Sequence, residues 1–450
     1  MISGTLKDAA GFMNADLRGA DAEFRGVSTD SREIRAGELF FALHGPSFDG
    51  HAFVDAALAA GAPAAVVDHE VSGHTLLLTE DTRIALGKLA AHWRRQCAPC
   101  VVAVTGSNGK TTVKEMLASI CAAAGPTLAT RGNLNNDIGL PLTLLELAPS
   151  HRYAVTELGA NHAGEIAYLT HIARPDVAVI TNANAAHLEG FGSVNGVARA
   201  KGEIFLGLAV AGTAVINADD RHNSLWRSLA AQFKVLTFGL TGGADVRAAL
   251  GGGCLHLTYG EQTVSRATSL VGQHSARNAA AACAAALALD ISLAGIADRL
   301  AQLQPISGRL QFKSGAAGAA IIDDTYNANP ASMQAALQVL SEQPQSQKFV
   351  VFGDMAELGE DSALLHEQAG EAAREQGVQR FYAVGELARH AARGFGSGAQ
   401  CFDEPASAAQ ALRKRLTPDV CVLVKGSRAM RMERAVAVLA ENPVPGRGRG

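Results

Sequence analysis

Neither sign of charge dominates this sequence. Lys and Arg number 39 against 43 Asp and Glu, a formal net charge of −4 over 450 residues. Nothing therefore draws the chain as a whole to nucleic acid or to an anionic membrane, and a phosphate-bearing ligand must be held by a local site. No basic stretch followed by an apolar core lies between Met1 and Asp16, so the N-terminus does not read as a secretory signal and a cytoplasmic location is expected. The longest purely apolar run, Ala279 to Leu289, is far short of the roughly 20 residues that cross a bilayer. It reads as a buried, alanine-rich helix, and no membrane insertion is expected. The seven cysteines are odd in number and scattered, which argues against a disulfide framework and suits a reducing compartment. Cys97 and Cys100 make one C-x-x-C, but it precedes the strand-like Val101 to Thr105 instead of opening a helix. With no second such pair to complete a zinc site, two incidental thiols are expected.

What is present is enough for several cores. A hydrophobic fraction of 48% with 18% charged residues is that of a globular protein, and 450 residues exceed what one core usually organises, so two or three domains are expected. Residues 1–82 mix short strand-like runs with turns and read as a small α/β domain. From Val101, apolar runs (Val101–Val104, Ala154–Thr156, Val177–Ile180, Ala214–Ile216) alternate with helix-length amphipathic segments. That rhythm predicts a mostly parallel sheet covered by helices, over residues 83–313. Gly242–Gly253 interrupts it. A second Gly/Ala-rich passage, Ser314–Ala320, is the preferred domain boundary. The alternation then resumes with strand candidates Ala320–Ile322, Phe349–Phe352, Phe381–Val384 and Val420–Val424, predicting a third, Rossmann-like α/β domain over 314–450. The tail Pro443–Gly450, almost entirely Pro, Gly and Arg, reads as a frayed terminus in preference to an RNA-binding arm.

The sharpest local signal is Gly106-Ser107-Asn108-Gly109-Lys110-Thr111-Thr112, between an apolar strand and a helix expected to run to about Ala124. Glycines let backbone N–H groups turn towards phosphate, the helix N-terminus adds partial positive charge, Lys110 neutralises the outer phosphates, and Thr111 offers a hydroxyl to Mg²⁺. The loop departs from the usual G-x-x-x-x-G-K-[ST], because Val104 stands where the first glycine would be. Glu157 closes a later strand, where a carboxylate at the carboxyl edge can help hold Mg²⁺ beside Thr111. His187 in a loop and Lys201 in a helix follow in His187-Leu188-Glu189-Gly190-Phe191-Gly192 and Ala200-Lys201-Gly202-Glu203.

A short phosphate loop, a strand-end Glu, a loop His and a helical Lys in this order resemble the Mur ligase family. Within it, the tripeptide:D-alanyl-D-alanine ligases are the nearest pattern. Asp30-Ser31-Arg32 and Phe48-Asp49-Gly50-His51 look like their UDP-binding domain, and Gly132 to Pro141, containing Asn135 and Asn136, looks like their substrate loop. Asp323-Asp324-Thr325-Tyr326-Asn327-Ala328-Asn329-Pro330, Val351 to Gly359, and Lys425-Gly426-Ser427-Arg428 are the most diagnostic segments. The likeness runs from about Ser28 to Val438. One departure is Ser275, in His274-Ser275-Ala276-Arg277-Asn278, where the family usually has Asn.

The resemblance implies an ATP-dependent amide-bond ligase, acting as a monomer on UDP-N-acetylmuramoyl-tripeptide and D-alanyl-D-alanine through an acyl phosphate. By the same resemblance, Asn278, Asp324 and Tyr326 contact adenine and ribose, Arg309 lies near the phosphates, and Ser31, Arg32, Asn135, Asn136, Asn327 and Asn329 contact substrate. Lys201 would be carbamylated by CO₂ and, with His187, hold a second Mg²⁺. Two other readings compete. Another Mur-type or folylpolyglutamate-type ligase is disfavoured by the Asp323–Pro330 segment, and trials of candidate amine donors separate it. A non-catalytic nucleotide-binding module is disfavoured by intact Glu157, His187 and Lys201, and phosphate release separates that.

Overall fold

The computed structural model describes residues 1–441 apart from 46, 47, 72 and 305; the Pro443–Gly450 tail lies outside the described residues. Its strands fall into three principal sheets, each built by one stretch of chain. In the first, strands run in the order Asp16–Arg18, Leu76–Leu78, Ala65–Val67, Leu39–Phe41, Val27–Ser28, parallel except at the Asp16–Arg18 edge. Helix Thr82–Cys97, capped by the Asp81 carboxylate on the N–H groups of Arg83 and Ile84, carries the chain out of this sheet. Its buried Ala85, Leu86, Leu89 and Ala90 join a core that runs without a break from Ile2 to Ala230, so the first two sheets share apolar packing.

The second sheet has nine strands, and Cys100–Thr105 lies third from one edge, between Val177–Ile180 and Tyr153–Glu157. The chain leaves Cys100–Thr105 for Thr127–Ala129 and Tyr153–Glu157 on one side, then crosses to Val177–Ile180 on the other. That reversal opens a crevice at the carboxyl end of Cys100–Thr105, the usual ligand position in such sheets. All eight strand candidates named from apolar runs are strands. The Gly242–Gly253 passage is not an interruption: Val246–Gly251 pairs parallel to Lys234–Gly239 and begins two antiparallel hairpins through Cys254–Tyr259 and Gln262–Ala267. Their period-2 burial was hidden by glycines clustered at the turns.

The alanine-rich run forms helix Gln273–Leu287, in which every residue from Ala279 to Ala286 is buried. Alanine favours helix without side-chain entropy cost, and its small side chain lets this helix lie against Lys110–Ala124 beneath the sheet. The third sheet runs Gln311–Ser314, Ala320–Asp324, Val420–Lys425, Gln347–Gly353, Arg380–Val384, Ala399–Phe402. Ser314–Ala320 is the turn between its first two strands, which pair antiparallel; the division drawn at 313/314 falls inside that hairpin, and the chain passes between sheets ahead of Gln311. None of the helices among the described residues is long and apolar enough to cross a membrane.

Candidate active site

The loop between Thr105 and Lys110 is shaped by two glycines for which no other residue fits. Gly106 has φ 141°, and a Cβ there would overlap the Thr181 hydroxyl; Gly109 has φ 83°, and a Cβ would overlap the Asn278 side-chain oxygen. Both backbone conformations are ones that L side chains rarely adopt. The loop is pinned from the neighbouring strand end. Asn182 Oδ1 accepts from Asn108 N at 2.9 Å, Thr181 Oγ1 donates to Asn108 O at 2.7 Å, and Asn184 N donates to Ser107 Oγ at 2.9 Å. Helix Lys110–Ala124 then starts at Gly109 with no side-chain cap, leaving first-turn N–H groups for an anion. Lys110 Nζ folds back onto Gly106 O at 2.7 Å and Ser107 O at 3.2 Å. Burial holds its ammonium below the usual lysine range, opposed by Glu157 and reinforced by Arg309.

Thr111 Oγ1 donates to Glu157 Oε2 at 2.7 Å, and Asn135 Nδ2 donates to Glu157 Oε1 at 2.7 Å. The Arg309 guanidinium donates to the same Thr111 hydroxyl at 2.8 Å and lies 4.1 Å from the centre of the Tyr326 ring. Lys201 sits below this floor, 1% exposed, with Nζ 5.3 Å from the centre of the Phe191 ring. Its amine is pushed down to about 7, by burial first and then by Lys110. The nearby carboxylates are engaged elsewhere. Glu203 accepts from Gly164 N and Ala167 N at the start of helix Glu165–Ala173, Glu165 accepts from Asn161 N, and Glu157 is taken by Thr111 and Asn135.

Residues of the third sheet close the opposite wall. Lys425 Nζ donates to Asp324 Oδ2 at 2.5 Å and Asn327 O at 2.9 Å, while Leu310 N donates to Asp324 Oδ1 at 3.2 Å. Both Asp324 oxygens therefore hold the Asp323–Asn329 segment in shape. Asn329 caps helix Pro330–Ser341, and its amide also meets Asn108 of the phosphate loop: Asn329 Nδ2 donates to Asn108 Oδ1 at 2.7 Å, and Asn108 Nδ2 to Asn329 Oδ1 at 3.3 Å. A second crossing joins His187 Nδ1 to Glu357 Oε2 at 2.5 Å; both residues have positive φ, 53° and 63°, and His187 holds the Glu357 carboxyl below the usual carboxylate range.

These walls enclose a cleft of about 1110 Å³. Ser107 through Thr112, Asn135, Asn136, Glu157, His187, Asn278, Arg309, Asp324, Tyr326, Asn327 and Asn329 all line it. Gly106, which backs onto Thr181, and Lys201, buried against Phe191, do not line it, and Ser31 and Arg32 stand on the first sheet's Ser28–Arg32 turn, where Arg32 pairs with Asp30 at 2.6 Å. Two residues and two pairings escaped the sequence reading. Asn182 and Asn184 were marked only by polar residues directly after an apolar strand, a recognisable sign of the carboxyl edge of a parallel sheet. The His187–Glu357 and Asn108–Asn329 pairings carry no local signal, because the partners are more than 150 residues apart in the chain.

Comparison with known proteins agrees with this geometry. Residues 104–286 match the Mur ligase middle domain, 308–428 the Mur ligase glutamate ligase domain, and 23–123 the Mur ligase family catalytic domain. UDP-N-acetylmuramoyl-tripeptide--D-alanyl-D-alanine ligase of Escherichia coli strain K12 is 43% identical, covering 98% of this chain and 99% of that protein. The crystal structure of MurF from Acinetobacter baumannii superposes with a TM-score of 0.91 at 38% identity, covering 97% of this chain and 98% of the other. MurF ligase from Thermotoga maritima in complex with ADP gives 0.85 at 32% identity, over 92% and 96%. The chain belongs to the Mur ligase family.

Proposed function

We propose that this protein is an ATP-dependent ligase that joins D-alanyl-D-alanine to UDP-N-acetylmuramoyl-tripeptide through an acyl phosphate. The observation that carries this reading is the single cleft in which the phosphate loop and Glu157 face the Asp323–Pro330 segment. Residues 1–82 serve the UDP moiety, with Ser31 and Arg32 as contacts, the segment ending before Gln311 serves ATP, and the remainder supplies nucleotide and D-alanyl-D-alanine contacts.

A carboxylate does not acylate an amine at neutral pH, because oxide would have to leave. Attack of the tripeptide carboxylate on the γ-phosphorus of ATP, with departure of ADP, converts that oxide into phosphate. The transfer crowds negative charge, which Lys110 and the uncapped N–H groups of residues 109–112 are placed to oppose. Arg309 is held at the same hydroxyl as Glu157, a position suited to a phosphate oxygen. The amine of D-alanyl-D-alanine then attacks the acyl carbon, loses a proton, and phosphate leaves from the tetrahedral intermediate. Asn135, Asn136, Asn327 and Asn329 offer amides to hold the two peptides in line; Asn278 and Tyr326 flank the nucleotide.

Thr111 and Glu157 suit Mg²⁺, since a hydroxyl and a carboxylate oxygen, both hard donors, converge in a buried setting. When bound there, the ion neutralises phosphate charge during transfer. Lys201 and His187 are proposed for a second Mg²⁺, with Lys201 carbamylated. Support comes from the amine itself: only an uncharged amine adds to CO₂, and Lys201 is buried without a carboxylate partner among the described residues. A monomer in the cytoplasm completes the reading, and the seven free cysteines suit that reducing compartment.

The test is mass spectrometry of products formed from each UDP-tripeptide, bearing diaminopimelate or lysine, with ATP, Mg²⁺ and D-alanyl-D-alanine. The expected product is the substrate plus D-alanyl-D-alanine less water, with one phosphate released per bond. Phosphate release without that product, or preference for a different amine donor, overturns the reading.

A further inference from the structure

Away from the cleft, three imidazoles converge on one carboxylate of the first sheet. His44 follows strand Leu39–Phe41, and Asp68 and His69 follow its parallel neighbour Ala65–Val67. His51 lies in the 3₁₀ turn Gly50–Phe53. His44 Nε2 is 2.8 Å from Asp68 Oδ2, His51 Nε2 is 3.2 Å from Asp68 Oδ1, and His69 Nδ1 is 2.7 Å from Asp68 Oδ1. The rings crowd together, with centroids 4.9 Å apart for His44 and His51 and 4.2 Å for His51 and His69.

We propose that His44 Nε2, His51 Nε2 and a carboxylate oxygen of Asp68 form a binding site for a divalent transition-metal ion of the zinc class, tying three segments at the carboxyl edge of this sheet. The donor atoms all lie within 4.8 Å of one another. Tetrahedral bonds of about 2.0–2.1 Å put donors roughly 3.4 Å apart, so the cluster is close to ligating geometry already. The adjustment falls on His44, whose side chain is 55% exposed and free to turn.

An independent feature sets the donor atom. His51 is buried, and its Nδ1 lies 2.7 Å from Asp49 Oδ1. A carboxylate at that distance accepts a hydrogen bond from Nδ1–H and leaves Nε2 as the lone-pair nitrogen, the arrangement that orients metal-binding histidines. In the metal-free cluster that lone pair receives only the Asp68 N–H, at 3.2 Å. His69, on the far side of Asp68, holds the carboxylate in place. Two nitrogens and an oxygen favour zinc, cobalt or nickel over Mg²⁺, which prefers oxygen alone.

The experiment uses full-length protein stripped with chelator and dialysed into excess Mg²⁺, so that oxygen-rich sites such as Thr111–Glu157 are filled. Co²⁺ is titrated while visible ligand-field absorption is followed, and Zn²⁺ stoichiometry is read by native mass spectrometry. One ion per chain is expected, with affinity falling at least about tenfold in His44→Ala and in Asp68→Asn. His44 is exposed, so its substitution leaves the fold intact, as a thermal melt will verify. No retained ion, or unchanged affinity in His44→Ala, which would place the metal on other surface histidines, overturns the assignment. Neither readout depends on ligase activity.

Discussion

Replacing Lys201 by methionine should make the protein more stable while abolishing turnover. Methionine keeps the unbranched length of lysine but carries no charge. In the folded protein the Lys201 amine is pushed down from its usual 10.5 to about 7. At about 1.4 kcal/mol per pH unit, this difference places the cost of the buried ammonium on the order of 5 kcal/mol. The folded-state value lies below the unfolded one, which sets the sign. Below pH 7 both states hold the proton and the full cost is present. Between about 7 and 10.5 the unfolded chain binds a proton that the folded chain has shed, so wild-type stability gains about 1.4 kcal/mol per pH unit from this residue. Above both values the cost is gone. Lys201→Met should therefore exceed wild type by a few kcal/mol at pH 7, and the gap should close towards pH 10.5.

Trp226 is a suitable reporter. It is fully buried and donates to Ala198 O, on the helix Val194–Gly202 that carries Lys201. Urea unfolding would be followed by its fluorescence in a Trp93→Phe background, in buffer freed of CO₂. A three-sheet chain need not unfold in one step, so the comparison is between the same transition in the two proteins. An identical pH dependence in wild type and variant, or a less stable Lys201→Met at pH 7, would refute the argument that the ammonium is strained by burial.

Two further outcomes follow from the cleft. Lys110→Ala removes the side-chain cation facing the transferring phosphoryl group, so ATP-dependent phosphate release should drop by at least about 10²–10³-fold; near-normal release would remove the loop from the mechanism. Asn108→Ala and Asn329→Ala break the same amide pair across the two walls, so their effects on kcat/KM should be coupled by about 1 kcal/mol in a double-mutant cycle. Strictly additive effects would show that the pairing contributes nothing to closure.

The sequence by itself determined the parallel strands and the glycine loop that follows the first strand of the second sheet. Every apolar run named as a strand is one, since a fully buried parallel strand needs a continuous apolar stretch and leaves that stretch visible. That loop was equally legible, because its shape depends on contiguous residues: glycines at 106 and 109, then Lys110 and Thr111 at a strand-to-helix junction. Hairpins beyond Val246 were not legible, because their alternation is short and broken by glycine. Nor was the turn character of Ser314–Ala320, where composition alone resembled a linker.

Tertiary structure decided what those residues face. That Lys201 lies buried apart from any free carboxylate depends on Glu203 being spent on the helix at Glu165 and Glu157 on Thr111. That Asp324 holds its own segment depends on Lys425, 101 residues away. The same is true of His187 with Glu357, of Asn108 with Asn329, and of the three imidazoles around Asp68. Local sequence carries the propensity of a segment, but the field and partners at a side chain come from packing between segments, which no spacing within one of them records.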